Sequence, residues 1–290
     1  MRDGRLAPGE ALPPVRALAQ QLGVSPATVA SAYRWLRQRG VIETAGRRGT
    51  RVRPRPPVAV ARAAQVLVPP PGGLDLASGE PDLRLLPDFG RHLAALARTA
   101  HRPGGYTTGG PWHELVALAR ERFAADGVPV EGAGLTVTAG ALDGIERLLG
   151  AHLRPGDRVA VEDPGWGNLF DLVAALGLEP VAVPVDEEGP TPPGLRRALA
   201  AGARAVVVTA RAQNPTGAAV SRTRAEALRE VLGEHPDVLL IEDDHAAELA
   251  GVPLYPLAGA TTAWAFVRSV SKPYGPDLRV AALAGDPATV

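Results

Sequence analysis

Ala205-Val206-Val207-Val208-Thr209-Ala210-Arg211-Ala212-Gln213-Asn214-Pro215-Thr216-Gly217 is the stretch that decides the fold. It opens on a short apolar run rich in valine. Such a run, with no polar alternation, suits a strand buried on both faces. It ends in a turn, because Asn-Pro favours turn initiation. The pattern recurs on both sides, in Leu135-Thr136-Val137-Thr138, Arg158-Val159-Ala160-Val161-Glu162, Pro180-Val181-Ala182-Val183-Pro184-Val185, Val238-Leu239-Leu240-Ile241-Glu242 and Ala263-Trp264-Ala265-Phe266-Val267. Helices are predicted between these runs, from Leu142 and over residues 169–176, 193–201 and 222–234. Short apolar strands alternating with helices predict an α/β fold, a mainly parallel sheet covered on both faces. Ligands in such sheets sit at the carboxyl ends of the strands.

Residues with chemical potential gather at those ends. Ala139-Gly140-Ala141 opens a helix, and small residues there let backbone N–H groups approach an anion. Ala and Gly are common in this chain, so an ordinary helix start is the competing reading. Trp166, after Asp163-Pro164-Gly165, offers either a stacking face or simple packing. The Asn214 amide can donate to a phenolate oxygen, or merely shape a turn. Asp243 ends a buried strand, where a carboxylate can pair with a protonated ring nitrogen. Glu242, Asp243, Asp244 and His245 raise the thought of a metal site, but neighbouring side chains on a strand point in alternate directions and converge poorly. Lys272 is the only lysine among 31 basic residues. Arginine stays charged and cannot serve as an amine nucleophile, so this lysine is either a Schiff-base former or a survivor in an arginine-biased composition. Ser269 and Arg279 flank it, and a guanidinium fork suits a phosphate.

The chain has 290 residues, enough for about two domains. Hydrophobic residues make up 46%, enough for a sizeable core, and there is no cysteine, which excludes disulfides and thiol chemistry. No secretory leader and no run long enough to span a membrane is evident. The formal net charge is zero, yet residues 1–55 carry 11 arginines against Asp3, Glu10 and Glu43. A basic head on an acidic body points to a polyanion-binding module joined to something else.

Within that head, Val15, Leu18, Ala19 and Leu22 form a helical stripe closed by Gly23. Ser25 is a good N-cap and Pro26 suits the first position of a second helix, predicted to run to about Arg39. Two short strands, residues 41–44 and 50–53, follow with a basic turn between them. This is a helix-turn-helix with a wing. Its second helix would enter the major groove with Ser25 and Thr28 at the reading end and Arg34 along it. Arg16, Arg47 and Arg48 would meet phosphates or groove edges. Internal packing of a helical hairpin with solvated arginines is the competing reading.

Asp3-Gly4-Arg5-Leu6-Ala7-Pro8-Gly9-Glu10, Leu12-Pro13-Pro14-Val15-Arg16, Gly23-Val24-Ser25-Pro26-Ala27-Thr28-Val29 and Gly49-Thr50 resemble the winged helix-turn-helix of the GntR superfamily. A proline-rich stretch, residues 56–73, reads as a linker, with room for a short helix at residues 58–68. From residue 74 onward, Asn214-Pro215-Thr216-Gly217, Ser269-Val270-Ser271-Lys272 and Asp277-Leu278-Arg279 resemble fold-type I aminotransferases of class I/II. The two together resemble the MocR type of bacterial regulator.

That resemblance implies pyridoxal 5′-phosphate as cofactor. It makes Lys272 the Schiff-base residue, Asp243 the partner of the pyridinium nitrogen, Asn214 the ligand of the ring oxygen O3′ and Trp166 the stacking ring. Ser269, Arg279 and the Ala139–Ala141 backbone would hold the phosphate. Tyr106 would reach the phosphate of a neighbouring subunit, implying a homodimer on paired DNA half-sites. His245 stands where these regulators carry a tyrosine. The resemblance further implies a helix ahead of Met1, and beyond Val290 the last sheet strand and a small domain carrying the arginine that clamps a substrate carboxylate. The chain is therefore expected to be truncated at both ends. The expected function is a cytoplasmic transcriptional regulator that responds to the cofactor or an amino compound. An aminotransferase with a DNA-binding head is the alternative, and it lacks an assignable carboxylate arginine.

Overall fold

The computed structural model describes residues 6, 9–38, 41–44, 46, 49–52, 70, 72–73, 81–98 and 110–290. In the head, α1 (Val15–Leu22) ends at Gly23, whose φ of 64° is left-handed as the sequence required. α2 (Pro26–Gln38) starts where Ser25 Oγ accepts from the Thr28 N–H at 3.1 Å. β1 (Ile42–Thr44) and β2 (Thr50–Val52) pair antiparallel as the wing. A small core of Ala19, Val29, Tyr33 and Ile42 binds helices to wing, and the Tyr33 hydroxyl donates to the Pro13 carbonyl at 2.8 Å. The wing turn at Arg47 and Arg48, and the expected linker helix, lie outside the described residues.

The body begins with two helices that the alternation did not announce, α3 (Gly90–Arg98) and α4 (His113–Ala125). Then β3 (Gly134–Thr138), α5 (Ala141–His152), β4 (Arg158–Asp163), α6 (Gly167–Ala175), β5 (Glu179–Asp186), β6 (Gly189–Pro190), α7 (Pro192–Ala200), β7 (Ala203–Thr209), α8 (Arg222–Gly233), β8 (Leu239–Asp243), β9 (Trp264–Ser269), α9 (Ser271–Tyr274) and β10 (Ala281–Gly285) follow. The sheet runs β3-β10-β9-β8-β7-β4-β5-β6. β9, β8, β7, β4 and β5 are mutually parallel, as the valine-rich runs predict.

One strand was not expected. β10 follows α9 and is antiparallel to both β3 and β9. Its sequence, Ala-Ala-Leu-Ala-Gly, carries little of the β-branched signal that marks a strand. The antiparallel sense has a consequence for Arg279. That residue precedes β10, yet it stands at the same sheet edge as the carboxyl ends of the parallel strands.

Alternate residues feed two cores. On one face, Ala160, Val206, Val208, Leu240 and Phe266 pack under α4, α7 and α8 with Phe123, Leu195 and Leu228. On the other, Val159, Val161, Ala205, Val207, Ile241 and Val267 pack under α5 and α6 with Ile145, Leu149 and Val173. From β4 the chain moves one way to β5 and the other way to β7, β8 and β9. This reversal makes a crevice between the loops after β4 and β7, the place where such sheets bind ligands.

Candidate cofactor site

The loops after β4 and β7 carry Trp166 and Asn214. Trp166 precedes α6, half-buried against the core beneath it. Asn214 is exposed at the rim. Asp243, the last residue of β8, lies at the floor with 4% of its surface exposed. Its Oδ1 is buried without a hydrogen-bond partner. Burial, with the nearby carboxylates of Asp244 and Glu162, pushes its pKa up to about 8. A buried acceptor with nothing to accept is costly unless a donor comes to it, and a protonated ring nitrogen is such a donor. The orphaned oxygen therefore fits the pyridinium role.

Lys272 sits half-buried on the short α9 directly after β9. His245 lies close enough to feel its charge: burial first, and then the Lys272 ammonium, hold the His245 pKa below its ordinary value. A neutral imidazole offers one N–H donor and one acceptor, so His245 can still serve an oxygen ligand as the tyrosine would.

The anion end is also assembled. Gly140 caps α5 with φ 106°, and Arg279 Nη2 donates to the Ala139 carbonyl at 3.2 Å. A methyl group on Gly140 would lie 2.8 Å from Arg279 Nη2. The glycine thus keeps open a cradle formed by a helix start and a guanidinium, which suits a phosphate. One detail amends the expected ligand set. The Ala139 N–H donates to Asp143 Oδ2 at 2.9 Å and is occupied, leaving the cradle to Gly140 and Ala141. Ser269 is buried, and its Oγ lies 3.1 Å from Ser271 Oγ and accepts from the Ser271 N–H at 3.1 Å. Tyr106 lies outside the described residues.

Sequence reasoning missed two buried groups. Asp244, fully buried, is gripped by Arg211 through Nε to Oδ1 at 2.9 Å and Nη2 to Oδ2 at 2.7 Å, and by Arg268 Nε at 2.8 Å. Arg268 continues to Asp126 at 2.6 Å, tying the end of β8 to the end of α4. Glu242 accepts from the Leu257 and Ala258 N–H groups. The contiguous acids thus serve separate places, Glu242 at the Leu257 turn, Asp243 at the crevice and Asp244 with the two arginines. The other missed group is Glu162, which accepts from the Thr209 N–H at 2.9 Å, Thr209 Oγ1 at 2.8 Å and Gln213 Nε2 at 3.1 Å. No short-range signal marks either group, since their partners are distant in sequence.

In the head, Arg16, Ser25, Thr28 and Arg34 are all exposed. Ser25 Oγ and Thr28 Oγ1 are 2.8 Å apart at the start of α2. Among the described residues no helix is long and apolar enough to cross a membrane.

Residues 1–52 match the model of bacterial regulatory proteins, gntR family. Residues 71–290 match aminotransferase class I and II. The vitamin B6 salvage pathway transcriptional repressor PtsJ of Salmonella typhimurium is 44% identical over 99% of this chain and 65% of its own length. The pyridoxine biosynthesis transcriptional regulator PdxR of Corynebacterium glutamicum is 36% identical over 88% of this chain and 56% of its own. The chain thus spans between half and two-thirds of these relatives. The crystal structure of aspartate aminotransferase from Rhizobium meliloti is 26% identical, with a TM-score of 0.63 over 73% of this chain and 55% of that one. The chain belongs to the aminotransferase class I and II family, with a GntR-family helix-turn-helix segment ahead of that domain, the arrangement of MocR-type regulators.

Proposed function

We propose that this chain is a transcriptional regulator that binds DNA through residues 1–55 and pyridoxal 5′-phosphate through residues 74–290, with residues 56–73 as linker. The observation that carries the cofactor reading is the orphaned Asp243 Oδ1 at the crevice floor, with Lys272, Trp166, Asn214 and the Gly140–Arg279 cradle disposed around the same sheet edge. The relatives' names, a B6 salvage repressor and a pyridoxine biosynthesis regulator, support the same ligand class and a regulatory role.

When bound, the cofactor supplies an electrophilic aldehyde and an electron-withdrawing ring. The chain's residues hold and tune it. Lys272 would provide the amine for that aldehyde. Asp243 accepts the ring N–H, Trp166 covers the ring, and Asn214 with His245 serves O3′. The Gly140 and Ala141 N–H groups, Ser269 and Arg279 hold the phosphate, and Tyr106 reaches it from a neighbouring copy in a homodimer. On the head, Arg16, Arg34, Arg47 and Arg48 meet DNA phosphates while Ser25 and Thr28 face base edges of paired half-sites. An amino compound that competes with Lys272 for the aldehyde is the natural class of effector. A cytoplasmic location follows from a DNA-binding role.

Lys272→Ala tests the site. The purified wild-type protein, incubated with the cofactor and desalted, should stay yellow. The variant should emerge colourless and still shift operator DNA at low salt. A yellow variant refutes the assignment of Lys272.

A further inference from the structure

Glu162 stands at the crevice and has no part in the reading above. It is the last residue but one of β4, 6% exposed. Its carboxylate is saturated. The Thr209 N–H and hydroxyl reach it from the end of β7, and Gln213 Nε2 reaches it from the loop beyond. Gln213 then spends its remaining groups on the two loops that matter. Its Nε2 also donates to the Pro164 carbonyl at 2.9 Å, two residues before Trp166. Its Oε1 accepts from the Thr216 N–H at 3.0 Å and the Thr216 hydroxyl at 2.7 Å, two residues after Asn214. Thr209 pairs in register with Asp243 across β7 and β8, and its neighbour Ala210 donates to the Asp243 carbonyl at 2.8 Å.

The strand reversal explains why such a clamp is needed. β4 and β7 are neighbours whose loops part company, so nothing in the backbone ladder holds residues 164–166 against residues 213–216. One buried carboxylate and one amide close that gap.

We infer that Glu162 is a positioning residue for the cofactor, locking the Trp166 loop, the Asn214 loop and the Asp243 strand end into one rigid frame. This rests on the cofactor reading above. Three donors on one buried carboxylate favour its charged form, and burial opposes that, lifting its pKa to about 7. The frame is thus built around an acid whose charge also reaches Asp243. An amide at position 162 keeps the size of the side chain but turns an N–H group toward a Gln213 N–H or a Thr209 donor, so the clamp cannot close as before.

The test uses the full chain, wild type beside Glu162→Gln and Thr209→Val, with Lys272→Ala as the cofactor control. Three quantities are read. These are the Kd for pyridoxal 5′-phosphate, the visible circular dichroism of the bound cofactor, and amide hydrogen exchange in residues 163–168 and 210–217. Glu162→Gln should bind the cofactor about tenfold more weakly, equivalent to ~1.4 kcal/mol. It should show altered visible dichroism at equal occupancy and exchange faster in both loops, with α5 and α8 unchanged. Thr209→Val, which removes one donor and leaves the amide, should move all three quantities the same way by less. A Glu162→Gln protein with wild-type Kd, dichroism and loop exchange overturns the inference. So does faster exchange throughout the domain, which would make Glu162 a general fold element. If the wild type itself fails to bind more tightly than Lys272→Ala, the underlying cofactor reading falls, and the inference with it.

Discussion

Asp243 shows how a single residue divides stability from function. Its ordinary carboxyl pKa of 3.8 is pushed up to about 8, chiefly by burial and then by the charges of Asp244 and Glu162. The folded chain therefore holds a proton there that the unfolded chain has lost. Its contribution to stability is greatest below about pH 4 and declines as pH rises toward about 8. Asp243→Asn removes that decline. Without cofactor, the variant should match the wild type near pH 4 and melt above it at pH 9, where the wild type must carry a buried, unpartnered charge. With cofactor the order should reverse, because an amide cannot supply the anion that a ring N–H seeks. Melting curves at pH 5, 7 and 9, with and without cofactor, check both halves, and parallel curves at all pH values would refute the charge argument. Asp243 was legible in the sequence because it ends a buried apolar strand and because the resemblance gives that position a role. Its neighbour Asp244 was not. Arg211 and Arg268, which hold it, stand 33 and 24 residues away, and only the finished sheet brings them together.

At the level of elements, the sequence reads best where burial is two-sided. β4, β7, β8 and β9 occupy the apolar runs almost residue for residue, since a parallel strand covered on both faces has no polar position to confuse the pattern. α5 begins at Ala141 instead of Leu142, and α6 at Gly167 instead of Leu169, because small residues at a helix start carry no periodic signal. β10 was invisible for the same reason, its alanines being neutral between helix and strand. The junction of β3 and α5 shows what such small residues do. Gly140 must be a glycine twice over, for its φ of 106° and for the 2.8 Å that separates an added methyl from Arg279 Nη2. Gly140→Ala should cost about 1–3 kcal/mol in backbone strain. It should also displace the guanidinium, so that pyridoxal 5′-phosphate loses more affinity than pyridoxal, which has no phosphate to place. Titrations with the two vitamers, alongside a melt, separate the effects. An equal loss for both would show that the cradle does not receive the phosphate.

At the scale of the whole molecule, the decisive feature is a charge distribution that the zero total conceals. The 11 arginines of residues 1–55 face only three acids, so the head carries the cationic charge and the body the balancing excess of acid. Folding leaves Arg16 and Arg34 exposed, with the Ser25–Thr28 end of α2 beside them in sequence and equally open. Composition alone could announce a polyanion-binding head, because charge needs no tertiary contact to be counted. It could not announce which arginines are spent inside the protein. Arg37 donates to Thr44 Oγ1 at 3.0 Å and Arg51 to the Gly9 carbonyl at 3.0 Å, so both brace the wing. If Arg16, Arg34, Arg47 and Arg48 each neutralise one phosphate, log K for DNA should fall with log salt at a slope of about −3.6 per head. Raising salt from about 50 to 200 mM should then weaken binding by one head about a hundredfold, and by two heads on paired half-sites by about ten-thousandfold. Removing Arg34 should lessen the slope by about one unit per head, whereas Arg51→Ala should destabilise the wing while leaving the slope of the folded fraction alone. Fluorescence anisotropy across a salt series, with a single half-site and a paired site, measures each quantity. A slope that does not change with Arg34→Ala would take that arginine out of the interface, and a slope near zero would take DNA out of the function of the head.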